Sequence, residues 1–205
     1  MTPILIATTN PAKLAEYRLL LAGFKLNVIS LRAAGIHDEA PEDGASFAEN
    51  ARTKAAFYFA RAGIATLADD GGLEVDALGG APGVRSHRWL GADAGDRDLA
   101  EEIVRRMRGV APARRTARLR ASAALIYSSA GARHERVVEA ALEGVIGDHC
   151  YPEMQPGFPY RAVLMIQARN CFLAELSEAE AAHLSQRRMT VDQLAPELER
   201  VAAGD

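Results

Sequence analysis

The stretch Leu67-Ala-Asp-Asp-Gly-Gly-Leu-Glu-Val-Asp-Ala-Leu-Gly-Gly-Ala-Pro-Gly83 constrains the rest of the chain. An apolar run, Ile64 to Ala68, stops at two adjacent carboxylates, Asp69 and Asp70, and two glycines follow. A short apolar run that ends in glycine reads as a buried strand. Two carboxylates side by side at a strand end repel each other and lose hydration, so the pattern calls for a compensating cation, a divalent metal or a lysine. Gly71 and Gly72 allow a sharp turn or the close approach of a ligand. Gly79, Gly80, Pro82 and Gly83 spell a second tight turn. A solvated turn that carries two acids competes with this reading for a bare Asp-Asp-Gly, and the rest of the chain decides between them.

Upstream, Ile4 to Ala7 is a short buried strand ended by Thr8-Thr9-Asn10. Asn10 is a good helix N-cap and Pro11 a good first helical residue. Leu14, Tyr17, Leu20 and Leu21 recur at helical spacing, with Gly23 as the expected C-terminal cap. Lys13 falls in the first turn, where a cation opposes the helix dipole unless an anion sits there too. The Thr8 hydroxyl, the Asn10 amide and the Lys13 ammonium together suit a phosphate; a plain surface lysine is the alternative. A second strand is expected over Lys25 to Ile29. Ser46-Phe-Ala-Glu49 is a capping box that starts a helix to about Arg61, closed by Gly63. Phe47, Ala51, Ala55 and Tyr58 form its apolar face, and Asn50, Lys54 and Arg61 share another. Lys54 then either reaches phosphate near Asp69 and Asp70 or is simply solvated. Glu42 is either a further metal carboxylate or a favourable charge before a helix.

Downstream, Asp96 or Asp98 caps a helix through Met107. Arg118 to Tyr127 alternates as a strand, Gly131 marks a hairpin, and Val137 to Val145 is the return strand. Strands alternating with helices at the start of the chain imply an α/β fold. At 205 residues the chain suits one large domain or two small lobes. Its net charge of −3 gives no nucleic-acid signature, and the seven arginines from Arg105 to Arg120 lack interleaved aromatics for base stacking. No apolar run reaches membrane-spanning length. Two cysteines, Cys150 and Cys171, point to a reducing compartment, and the opening residues lack the basic region of a signal peptide, so a cytoplasmic location is expected. The five histidines show no zinc spacing.

Three segments, in order and at characteristic spacing, resemble the Ham1/inosine triphosphate pyrophosphatase family. They are Ile6-Ala-Thr-Thr-Asn-Pro-Ala-Lys13, Glu42-Asp-Gly-Ala-Ser-Phe-Ala-Glu-Asn-Ala-Arg-Thr-Lys54 and Leu67 to Gly83. The resemblance covers most of the chain and weakens after about Arg120. It implies one ITPase-like domain over residues 1–205, an elongated mixed β-sheet flanked by helices with two lobes around a central cleft, and a homodimer. It implies a nucleoside triphosphate pyrophosphatase dependent on Mg²⁺ (or Mn²⁺), with no nucleic-acid or membrane partner. By the same resemblance Thr8, Thr9, Asn10, Lys13 and Lys54 hold phosphate, and Glu42 and Asp70 bind the metal. Asp70 accepts a proton from the attacking water, with Asp69 and Lys54 in support.

The C-terminal third departs from the family. Gly71 replaces a serine after the paired aspartates. The family's Gly-Phe-Gly-Tyr-Asp-Pro is Gly157-Phe-Pro-Tyr-Arg-Ala162 here, and its Ser-His-Arg is Ser185-Gln-Arg187. Phe158 and Tyr160 keep an aromatic platform for a base, but Arg161 is a donor where the family has an acceptor. Phe158, Tyr160, Arg161, Gln186 and Arg187 are the expected substrate-binding residues of this region, with base specificity altered relative to the family. A nucleotide-binding or regulatory paralogue with weak or no turnover is the alternative function.

Overall fold

A computed structural model of the chain describes residues 1–91 and 93–204. Among these residues seven strands form one mixed sheet: β1 (Thr2–Ile6), β2 (Leu26–Ser30), β3 (Ala65–Val75), β4 (Thr116–Ser129), β5 (Ala132–Ile146), β6 (Leu164–Ile166) and β7 (Cys171–Phe172), in the order β2-β1-β3-β4-β5-β6-β7. β1 lies parallel to both β2 and β3, with Ile4 opposite Val28 on one side and Ala65 on the other. β5, β6 and β7 pair antiparallel. Among the described residues six α-helices accompany the sheet: α1 (Pro11–Leu20), α2 (Phe47–Ala62), α3 (Asp96–Arg106), α4 (Glu178–Leu184), α5 (Gln186–Gln193) and α6 (Ala195–Ala203). The fold is α/β, as the opening pattern requires. Among the described residues no helix is long and apolar enough to cross a membrane.

Local sequence explains the helix starts. Asn10 Oδ1 accepts from the Ala12 and Lys13 N–H groups at 2.9 and 3.2 Å, with Pro11 in the first turn. Ser46 Oγ accepts from Glu49 N–H at 3.1 Å, while Glu49 reaches back to Ala45 N–H at 2.7 Å, one residue beyond the usual reciprocal bond to the N-cap. Gly63 closes α2 in the left-handed region at φ 64°. α1 ends at Leu20 with Leu21 as its C-terminal cap, two residues before the expected Gly23. In the β4–β5 hairpin Ala130 and Gly131 both have positive φ, 49° and 77°, as the tight turn that matches strand twist demands.

The chain divides into two compact units. The first comprises Met1–Asp70, Ala121–Ala140 and the C-terminal stretch from Arg187. Its core sets Ala51, Ala55 and Tyr58 of α2 against Leu5 and Ala7, Ala68 of β3, and Ala124 and Ile126 of β4. The second comprises Gly71–Arg120 and Ala141–Gln186. There Leu99, Ala100 and Ile103 of α3 pack with Leu73, Val75, Leu119, Leu142 and Ile146.

One expectation fails. β3 does not stop at the paired aspartates: it runs on through Gly71 and Gly72 to Val75, and neither glycine adopts a positive φ. What Gly72 supplies is clearance. A Cβ there would lie 2.0 Å from Ser86 Oγ and 2.8 Å from the Gly83 carbonyl oxygen. Ser86 Oγ accepts from Leu73 N–H at 2.9 Å and donates to the Gly83 carbonyl at 2.7 Å. The second glycine cluster does turn, with Gly79, Gly80 and Gly83 at φ 64°, 86° and 57°.

Gly72→Ala is therefore expected to destabilise the fold by about 1–3 kcal/mol through overpacking. Gly23→Ala, with nothing within 4 Å of its Cβ position, is expected to cost nothing. Chemical denaturation of both variants checks the contrast, and equal stability would remove the steric argument.

Candidate active site

The first unit gathers seven charged side chains from five segments. Asp69 and Asp70 are adjacent on a strand, so their side chains leave on opposite sides. Asp69, 2% exposed, meets two cations. Lys13 Nζ lies 3.4 Å from Oδ1 and 3.3 Å from Oδ2, and Arg187 Nε donates to Oδ2 at 2.8 Å. Arg187 Nη1 also reaches Glu16 Oε2 at 3.1 Å. Asp70 meets α2 instead. Asn50 Nδ2 donates to its Oδ2 at 2.8 Å, and Lys54 Nζ is 3.9 Å from its Oδ1 and 2.8 Å from Glu42 Oε1. Asn50 Oδ1 accepts from Gly44 N–H at 2.8 Å, which fixes the amide's direction. The mutual repulsion expected of the pair is thus relieved twice over, by the strand's alternation and by separate cations.

Burial alone would raise the Asp69 carboxyl, but Lys13 and then Arg187 outweigh it and hold this group well below the usual carboxylate range. Burial lowers the Lys13 ammonium, with Asp69 opposing. Burial also pulls on Lys54 and Arg187, yet both end raised, Lys54 by Asp70 foremost and Arg187 by Asp69 and Glu16. Lys13 was expected to need a bound anion in its helix turn. The structure supplies one within the chain, Asp69. Thr8 Oγ1 accepts from Asn10 N–H at 3.1 Å, and Thr9 is exposed on the same turn.

In the second unit Phe158, Tyr160 and Arg161 lie together in a turn, Pro159–Ala162 being a short 3₁₀ segment. The Arg161 guanidinium carbon stands 3.9 Å from the Phe158 ring centroid, and Nη1 donates to Gln155 Oε1 at 2.8 Å. Tyr160 is buried and its hydroxyl donates to the Ser86 carbonyl at 2.6 Å, so the ring is braced by the 3₁₀ segment Gly83–Arg88. Gly157 N–H donates to Asp96 Oδ2 at 2.6 Å, so of the two candidate caps of α3 it is Asp98 that caps, through Gly95 N–H at 2.8 Å. Gln186 is buried at the start of α5. Gly71 lies within β3.

Three contributors escaped the sequence. Asn50 was placed on the Lys54 face but given no partner; the i, i+4 spacing was its signal. Glu16 follows Lys13 by three residues on the same helix face, a weak signal that points to no distant partner. Gln155 carried no signal.

Glu42 and Asp70 converge on one ammonium, and both are oxygen donors. Among the described residues no group of three or more His, Cys, Asp or Glu is placed to hold a metal ion. Two carboxylates fit Mg²⁺, which keeps waters and takes further oxygens from substrate phosphates, better than an ion that needs a complete protein cage.

The family model described as the Ham1 family matches residues 4–197. The chain is 39% identical to a dITP/XTP pyrophosphatase of Mycolicibacterium paratuberculosis over 98% of both chains. It is 35% identical to a dITP/XTP pyrophosphatase of Geobacillus kaustophilus over 100% of this chain and 98% of that one. Among solved structures it is similar to a HAM1 protein from Coxiella burnetii, with TM-score 0.82, 28% identity and coverage of 98% and 100%. A nucleoside-triphosphatase / dITP/XTP pyrophosphatase from Mycobacterium abscessus matches at TM-score 0.69 and 34% identity, covering 95% and 99%.

Asp69→Asn leaves Lys13 and Arg187 buried without their shared anion, and a loss of about 3–5 kcal/mol is expected at neutral pH. The folded-state carboxyl titrates below its unfolded value. Its contribution is therefore full above about pH 4 and drains away as pH falls toward the folded value. Denaturation between pH 7 and 2 should show the gap between wild type and variant narrowing only at the acid end; a constant gap would remove Asp69 from the acid dependence.

Proposed function

The chain belongs to the Ham1 family, and we propose that it is a nucleoside triphosphate pyrophosphohydrolase that converts purine triphosphates with a non-canonical base to the monophosphate and pyrophosphate, xanthosine before inosine triphosphate. The substrate class follows the dITP/XTP pyrophosphatases to which the chain is similar. The observation that carries the reading is the division of labour on β3: Asp69 is locked between two cations, while Asp70 is oriented by Asn50 and Lys54.

Asp70 accepts the proton of the water that attacks the α-phosphorus. Asp69, with its basicity suppressed by Lys13 and Arg187, holds Lys13 in place and opposes the loss of charge that burial favours. Lys13, the Thr8 hydroxyl and the Asn10 amide bind the departing phosphates, and Lys54 neutralises charge that builds on the phosphate oxygens. Glu42 and Asp70 hold Mg²⁺ (or Mn²⁺), which when bound supplies further neutralisation at those oxygens. Base choice is assigned to Phe158, Arg161 and Gln186. A guanidinium only donates. Xanthine presents two ring carbonyls where hypoxanthine presents one, so a donor in this position favours xanthine. Pro159 withholds the main-chain donor that a glycine would offer.

Pyrophosphate release measured over a nucleotide panel tests the reading. Asp70→Asn is expected to lower kcat by about 10²-fold or more, the scale of a lost general base, and a chelator is expected to abolish turnover. Full activity in chelator would remove the metal. On specificity, xanthosine triphosphate is expected to exceed inosine triphosphate in kcat/KM by about tenfold. Arg161→Asp with Pro159→Gly should narrow or reverse that ratio, and equal wild-type use of the two nucleotides would detach Arg161 from base choice.

A further inference from the structure

The sheet sets three features of the first unit in a row. β3, β1 and β2 are neighbours and parallel, with Ile6 opposite Leu67 on one side and Ser30 on the other. Asp69, Thr8 and Arg32 each stand two residues beyond that rung. Neighbouring strands are about 4.8 Å apart. Crossing from β3 to β2 therefore passes the paired aspartates, then the Thr8–Asn10 turn, then a pocket of about 610 Å³. That pocket shares Thr8, Thr9 and Asn10 with the phosphate-binding turn, and its far side is the segment from Ser30 to Glu39.

The chemistry of the pocket is wrong for phosphate alone. Pro11, Leu14, Leu31 and Ile36 supply apolar wall, which solvates no anion but suits a ring. Arg32 and His37 stand on its border, where a guanidinium can pair with phosphate and stack on an aromatic. The outer wall is braced. Tyr58 hydroxyl donates to the Asp38 carbonyl and accepts from Ala40 N–H, both at 3.2 Å, and Arg61 Nε holds Asp38 Oδ2 at 3.0 Å.

We propose that this pocket receives an organic group esterified to the terminal phosphate, so that the substrates include nucleoside polyphosphates substituted beyond the γ-phosphorus, dinucleoside polyphosphates among them. This rests on the pyrophosphohydrolase reading above. With the α-phosphorus at Asp70 and the departing phosphates along Thr8–Lys13, the terminal phosphate lies nearest β2 and its substituent enters the pocket. Water adds to the α-phosphorus, and the bond from that phosphorus to the α–β bridging oxygen breaks. The water's proton passes to Asp70, and the leaving group departs as a pyrophosphate monoester. No other reactant is needed.

The test compares xanthosine triphosphate with its phenyl ester on the terminal phosphate, following xanthosine monophosphate from both. The wild type is expected to use the ester with kcat/KM within about tenfold of the parent nucleotide. Leu14→Trp, which fills the pocket, and Arg32→Glu, at an exposed position that spares folding, should each lower the ester's kcat/KM by about tenfold while leaving the parent within about twofold. Turnover of the parent with the ester at less than about a hundredth of its efficiency overturns this inference and leaves the pyrophosphohydrolase reading intact. Parallel losses on both compounds in the two variants also overturn it. Turnover of neither compound strikes the underlying reading itself.

Discussion

Asp69 is the point on which the first unit depends. A buried carboxylate is costly unless its charge is met, and here one carboxylate is met by a lysine from α1 and an arginine from α5. Residues 13, 69 and 187 are far apart in sequence, so the cluster forms only when β1 with its helix, β3 and the C-terminal helices have all assembled. Arg187 in turn answers Glu16, one turn along α1 from Lys13. The arrangement is a chain of alternating charges in which each member is uncompensated without its neighbours. Because a strand sends successive side chains to opposite sides, fixing Asp69 in this cluster also fixes the direction of Asp70, toward Asn50 and Lys54. Rigid placement of one acid aims the other.

What was legible in the sequence follows the range of the forces involved. Caps at Asn10 and Ser46 are satisfied by N–H groups two or three residues away, so residue identity alone reveals them. Two glycines after Asp70 look like a strand stop in sequence, yet β3 runs on to Val75. Their conformation is set instead by the sheet they belong to and by Ser86, fourteen residues beyond Gly72, which occupies the space a side chain would take. The three motifs single out Lys13, Glu42, Lys54, Asp69 and Asp70 because spacing and residue type together are specific, and the fold sets Lys13 against Asp69 and Lys54 against Glu42 and Asp70. Glu16, Asn50 and Gln155 stayed hidden because a polar residue on a helix or loop looks the same whether its partner is solvent or a charge from another segment.

Ser86 plays for the second unit something of the part Asp69 plays for the first. Its hydroxyl joins Leu73 N–H to the Gly83 carbonyl, and its own carbonyl accepts from the Tyr160 hydroxyl. The glycine-rich turn and the aromatic turn that carries Phe158 and Arg161 are therefore tied through one small residue. Phe158 and Arg161 thus stand on a braced frame, the guanidinium lying over the Phe158 ring and bonded to Gln155.

The burial of Lys13 and Lys54 has a consequence for chemical labelling. The chain carries only three lysines, against twenty-one arginines. Two of the three are enclosed in the charge cluster, and the third, Lys25, is exposed. Among the lysines, acylating reagents in contact with the folded protein thus meet one open amine and two shielded ones. The mass gained under mild labelling is a direct count of whether the cluster is closed, and each further acyl group records its opening.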